Sequence, residues 1–181
     1  CVIHAFGEEK DIRSMGGVWK KIPCTYALMV IGTLALTGFP FLSGYYSKEA
    51  IIEFAYLKGN TFGYYAVVVG IITALLTSIY SWRLIFKTFH GTYNNKENNL
   101  SKIHESPLIM LLPSCLLALG AIFTGILFKE IFIGQESLVF WNNSILILQP
   151  FEHSHLPTWL LFITPTIVTL AIPFSYYLFV E

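Results

Sequence analysis

The chain reads as an all-α, multi-pass membrane helical bundle with one discontinuous helix. Three observations predict that class. Hydrophobic residues make up 55% of the 181 positions against 12% charged, and the mean hydropathy is +0.63, well above a soluble domain. Charge-free stretches at 22–47, 59–82, 106–128 and 153–180 each reach the roughly 20 residues that a bilayer helix needs. The first of them is interrupted by Gly38, Pro40 and Gly44 and then runs into Lys48 and Glu49.

The first residues, CVIHAF, have the character of the last turn of a helix that starts further upstream, so the chain is expected to be a piece of something longer. The first membrane unit, about 22–58, is too long for one straight helix. At about 1.5 Å per residue it would reach roughly 50 Å, beyond a hydrocarbon core of about 30 Å. Pro40 removes a backbone donor and clashes with the preceding turn, and the flanking glycines let the chain leave helical geometry. Irregular backbone at membrane depth requires surrounding protein or a water-filled cavity.

The other units, about 59–89, 106–128 and 154–180, complete a single membrane region over 1–181, and Pro165 and Pro173 are expected to kink the last one. The Asn-rich YNNKENNL is a solvated loop. Four passes put Lys10, Arg13, Lys20, Lys21, Arg83, Lys87, Lys96 and Lys102 on one side and Lys48, Lys58 and Lys129 toward the other. That bias makes the first side cytoplasmic, or the matrix side in a mitochondrion.

Composition also excludes functions. Zero formal net charge and the lack of a basic stripe argue against nucleic acid as a partner. Cys1, Cys24 and Cys115 lack the spacing of an iron–sulfur or zinc site. No glycine-rich nucleotide loop, flavin fingerprint or Ser/His/Asp spacing occurs.

Lys48 and Glu49 are the candidates for chemistry. If the break lies mid-membrane, they open the second half-helix, and intramembrane charges must be compensated and are functional candidates. Neighbours on a helix point about 100° apart, so the pair would touch two different charge networks. The alternative is a wet loop in which Lys48, Glu49 and Glu53 snorkel at the far face. His4 is a further candidate proton carrier because its ordinary pKa is near neutrality; the plainer alternative is a hydrated interfacial histidine. Tyr80, Trp82 and Arg83 read as interface anchors. FEHSHLP has two histidines and a glutamate, but in a loop without register, which reads as incidental composition.

VIHAF, EEKDIRSMGG, LTGFPFLSGYYSKEAIIE and TSIYSWRLIFKTFHG together resemble the C-terminal half of the chain 5 family of NADH-ubiquinone oxidoreductase, the distal antiporter-like subunits of respiratory complex I. FWNNSILILQP is similar to the mitochondrial forms, those of plants in particular. The resemblance covers nearly the whole chain. It implies a partial antiporter-like fold in the mitochondrial inner membrane, with 22–58 as a discontinuous helix and Lys48 as a central proton carrier. It also implies that Glu49 stands where the family usually has aspartate, and that His4 matches a histidine at the matrix end of a helix.

The resemblance further implies that this chain carries no cofactor, with NAD, FMN, iron–sulfur clusters and ubiquinone in other subunits. Its expected partners are lipids, other complex I membrane subunits, and a separate chain with the N-terminal half of the same subunit. Two rivals remain: the large subunit of a multi-subunit sodium/proton antiporter, and a structural fragment that only completes the membrane arm.

Overall fold

The computed structural model describes residues 1–7, 10–91, 103–134, 137–142, 144 and 157–180. Among them the regular structure is entirely helical: α1 (Val2–Ala5), α2 (Pro23–Thr37), α3 (Ser43–Leu57), α4 (Thr61–Phe89), α5 (Leu108–Phe132), α6 (Ser137–Trp141) and α7 (Thr158–Val180). Three helices, α4, α5 and α7, are long and apolar enough to cross a membrane, and α2 is a shorter apolar helix.

The break separates α2 from α3. Gly38 takes the left-handed conformation at φ 83°, its N–H donates to the Ala35 carbonyl, and the Phe39 N–H donates to the Leu34 carbonyl. This is the paired-bond helix ending in which a glycine just past the last residue reverses the chain. Residues 38–42 then run outside helical geometry until Ser43 restarts it. Each half is 15 residues, or about 22 Å, so neither spans a bilayer alone. Gly44, unlike Gly38, lies within a helix. A Cβ there would fall 1.9 Å from the Ala35 carbonyl oxygen, so glycine is needed for the close approach of the two half-helices.

α4 and α7 form the most extensive helix pair. Ala74, Ser78 and Ser81 of α4 and Thr164, Val168, Ala171 and Ser175 of α7 are buried, and Ser78 Oγ donates to the Val168 carbonyl at 3.3 Å. Lipid tails are as apolar as leucine, so helices in a membrane are held by close packing of such small residues. α7 runs unbroken through Pro165 and Pro173. Large apolar side chains, Phe62, Tyr65, Leu76, Leu117 and Phe162 among them, face outward, as expected where the solvent is hydrocarbon.

At one end of the bundle, the segment before α2 tucks beneath the C-terminus of α4. Val18, Ile22, Ile85 and Phe89 are fully buried together, and the Gly17 and Trp19 N–H groups donate to the His90 and Phe89 carbonyls. Trp82 belongs to this core: it is buried and stacks on Phe86 at 5.4 Å. It is therefore a packing residue and not an interface anchor. Arg83 sits over the Phe179 ring of α7. α5 runs to Phe132, four residues past the expected end of its unit, because the apolar pattern resumes at Ile131 and Phe132. The extension puts Lys129 on the last turn of a helix.

Candidate functional site

Lys48 lies in the second turn of α3 and reaches back across the break. Its Nζ donates to the Thr37 carbonyl at 3.0 Å and to the Leu36 carbonyl at 3.4 Å. The Gly38 turn satisfies the carbonyls of Leu34 and Ala35, so these two are the ones that it leaves over. The ammonium thus completes the end of α2 at the negative pole of its helix dipole. Lys48 is half-buried, with its Cδ 3.4 Å and its Nζ 3.7 Å from the position that a Cβ on Gly38 would take.

Glu49 points elsewhere. With Ile52 and Glu53 it forms the buried face of α3, at 9% and 5% exposure for the two glutamates. Ile52 packs with Val67 of α4 and Leu160 of α7. Tyr45, one turn before Glu49, faces the same carboxylate, and the Glu49 Oε1 is buried without a hydrogen-bond partner among the described residues. The cation electrostatically coupled to both glutamates is Lys129 of α5, whose Nζ stands 5.5 Å from the centroid of the Tyr46 ring. The two side chains that are neighbours in sequence therefore serve different surroundings: helix-end carbonyls for Lys48, a buried carboxylate pair for Glu49.

His4 is not brought to this place. It is exposed, with its ring 6.3 Å from that of His104. The next residue, Glu105, caps the opposite end of α2, accepting from the Cys24 and Thr25 N–H groups at 3.0 and 3.3 Å and from the Thr25 hydroxyl. Thr25 and Thr37 are twelve residues apart, which is about 18 Å along the helix, so His4 belongs to the far end of α2 from Lys48. Beside it, a cavity of about 500 Å³ lies between α2 and α5, lined by Cys1, Thr25, Met29, Ala35, Ser114 and Ala118 among others.

In the sequence Glu53 groups with the charges beyond the break, Lys129 follows the third membrane unit toward the far side, and Glu105 carries no signal of a role. A signal for Glu53 existed: Tyr45, Glu49 and Glu53 recur every fourth residue, one stripe of an otherwise apolar helix. Among the described residues no group of three or more His, Cys, Asp or Glu converges as a metal site would. FEHSHLP lies outside the described residues.

Comparison with known proteins decides the family. Residues 1–77 match the membrane family described as NADH:quinone oxidoreductase/Mrp antiporter. NADH-ubiquinone oxidoreductase chain 5 of Arabidopsis thaliana is 48% identical over 147 residues, which is 81% of this chain and 22% of that protein. The chain belongs to the chain 5 family. The Marchantia polymorpha chain 5 is 45% identical over 169 residues, 93% of this chain and 25% of its own length. NADH-quinone oxidoreductase subunit L of Rhodobacter capsulatus is 45% identical over 152 residues, 78% of this chain and 21% of its own. The chain spans about a quarter of the length of these relatives. The matched 1–77 region includes the Gly38 break, Lys48 and Glu49, whereas α5 with Lys129 lies outside it.

Proposed function

We propose that this chain is part of the membrane arm of a proton-pumping NADH:ubiquinone oxidoreductase, and that Lys48 and Glu49 carry protons there while electrons move in other subunits. The observation that carries the reading is the seat of Lys48: an ammonium bound to the open carbonyl end of a half-helix. The ammonium there is bonded to carbonyls at the negative pole of a helix, so release of its proton changes both the local charge and the bonding of the break. Moving one charge against 100 mV costs about 2.3 kcal/mol. In this reading the energy arrives from electron transfer elsewhere, as coupling between distant sites.

The same reading puts the chain in the mitochondrial inner membrane, supported by the chain 5 names of its plant relatives, with its basic side toward the matrix. NAD, FMN, iron–sulfur clusters and ubiquinone belong to partner subunits. The chain corresponds to about a quarter of the length of its relatives, and its proposed partners are other membrane subunits of the complex. His4, at the far end of α2, would exchange protons at the matrix surface.

Replacing Lys48 with Ala in the assembled complex is expected to lower the protons moved per NADH oxidised while the complex still assembles. Unchanged stoichiometry would sink the relay. The description of the matched family also covers Mrp antiporters, which supports one rival, a sodium/proton antiporter subunit. Co-purification with complex I subunits in mild detergent favours the first reading, and sodium-dependent proton exchange without them favours the second.

A further inference from the structure

We propose that Glu53 and Lys129 join Glu49 in a second ionisable station, in which the two carboxylates share one exchangeable proton beside the Lys129 side chain. The inference rests on the reading above, because a proton is the ligand such a station would take, but it assigns a site separate from Lys48.

Glu49 and Glu53 are one helical turn apart on the inner face of α3, at 9% and 5% exposure. Two carboxylates this close and this buried cannot both stay ionised without compensation. An ammonium, Lys129 from α5, is coupled to both, and a proton shared between the two carboxylates relieves their mutual repulsion. The group facing the pair from α3 itself is the Tyr45 phenol. From α4 and α7 the apolar Val67 and Leu160 pack beside Ile52. The Glu49 Oε1, more than nine-tenths buried and without a donor among the described residues, is the open position for that proton.

Gly125 fixes the geometry. One turn before Lys129, it lets α5 approach so closely that a Cβ would fall 2.6 Å from Ser43 Cα and 2.7 Å from the Tyr46 ring. The ammonium is thereby seated over the Tyr46 ring, on the same α3 helix as the two carboxylates. In the transfer, the O–H bond of one carboxylic acid breaks as a carboxylate oxygen of the other takes the proton. The total charge of the station is unchanged and no electron moves. Lys48, on another face and bound to the end of α2, acts as a separate point in the path.

The test uses the intact complex in native membranes with Glu53→Gln, Glu53→Asp and Lys129→Met, followed by protons moved per NADH oxidised and by the turnover-induced infrared difference band of protonated carboxylic acids. Glu53→Gln is expected to lower the ratio several-fold and to remove the band. Glu53→Asp should keep both, and Lys129→Met should shift the band. A normal ratio with an unchanged band in Glu53→Gln overturns the proposal. Should that variant fail to assemble, an unshifted band in Lys129→Met overturns it instead. Impaired pumping in Lys48→Ala beside normal pumping in Glu53→Gln would remove this station and leave the Lys48 relay standing. The reverse pattern would remove the relay and leave the station.

Discussion

Gly44 and His90 show what single residues contribute. Gly44 reads from sequence as a helix breaker, yet it sits inside α3, where its missing side chain admits the Ala35 carbonyl. The composition of the break was legible, but the division of labour between Gly38 and Gly44 was not, because close approach depends on a partner backbone that local sequence does not reveal. His90, just beyond the last residue of α4, has its Nε2 3.0 Å from the Tyr26 hydroxyl and its ring stacked near Trp19. Burial pushes its pKa below the ordinary 6.5. The folded form therefore binds fewer protons than the unfolded form below about pH 6.5, and the contribution of His90 to stability is present above that pH and declines as pH falls through it. Hydrogen exchange of the 15–22 segment is expected to quicken on acidification through that range, and in His90→Gln this acid dependence should shrink. An identical dependence in the variant would show that another group controls it.

The helix termini of α2 are unlike each other, and both are completed by side chains from elsewhere. Lys48 serves the C-terminal end from 11 residues away, and Glu105 serves the N-terminal end from 81 residues away. The broken unit itself was readable because an apolar run of that length cannot be straight and because glycine and proline mark its weak point. Glu105 was unreadable, since a cap supplied across so much sequence leaves no local pattern. Glu105→Ala leaves two first-turn N–H groups without their acceptor and is expected to weaken the start of α2 by about 1–2 kcal/mol. Amide exchange at Cys24 and Thr25 would report it as faster exchange there, with the end near Thr37 unaffected. Uniform acceleration along α2 would instead indicate that Glu105 holds the whole helix in place. The register of α5 is a third case: the apolar residues after Glu130 carry the helix past a charged pair that reads as its end, and Lys129 thereby becomes a site residue.

For the molecule as a whole, the long apolar helices α4, α5 and α7 were the most legible features among the described residues, since hydropathy reports the thickness of the bilayer directly. Which helices pair was much less so, because small residues are the contact signal in lipid and they also occur on exposed faces. The α4–α7 seam joins segments 90 residues apart at Ser78 and Val168. Ser78 is fully buried, so Ser78→Leu forces extra atoms into a closed seam, expected to cost about 1–3 kcal/mol, while Ser78→Ala is tolerated. Thermal inactivation of the assembled complex should separate the two variants, and equal behaviour would mean that α7 is held chiefly by other chains.

The lysine at the break has one more consequence. Because the same ammonium both carries charge and closes the last turn of α2, the helix end is a mechanical gauge of electrical state: when the proton leaves, the Leu36 and Thr37 carbonyls face a neutral amine, a weaker donor without the charge. Conversely, whatever pulls on that turn alters how firmly the proton is held. Force and charge at this joint are two readings of one coordinate, so a distant charge rearrangement can act on the break, and the break on it, without a moving domain between them.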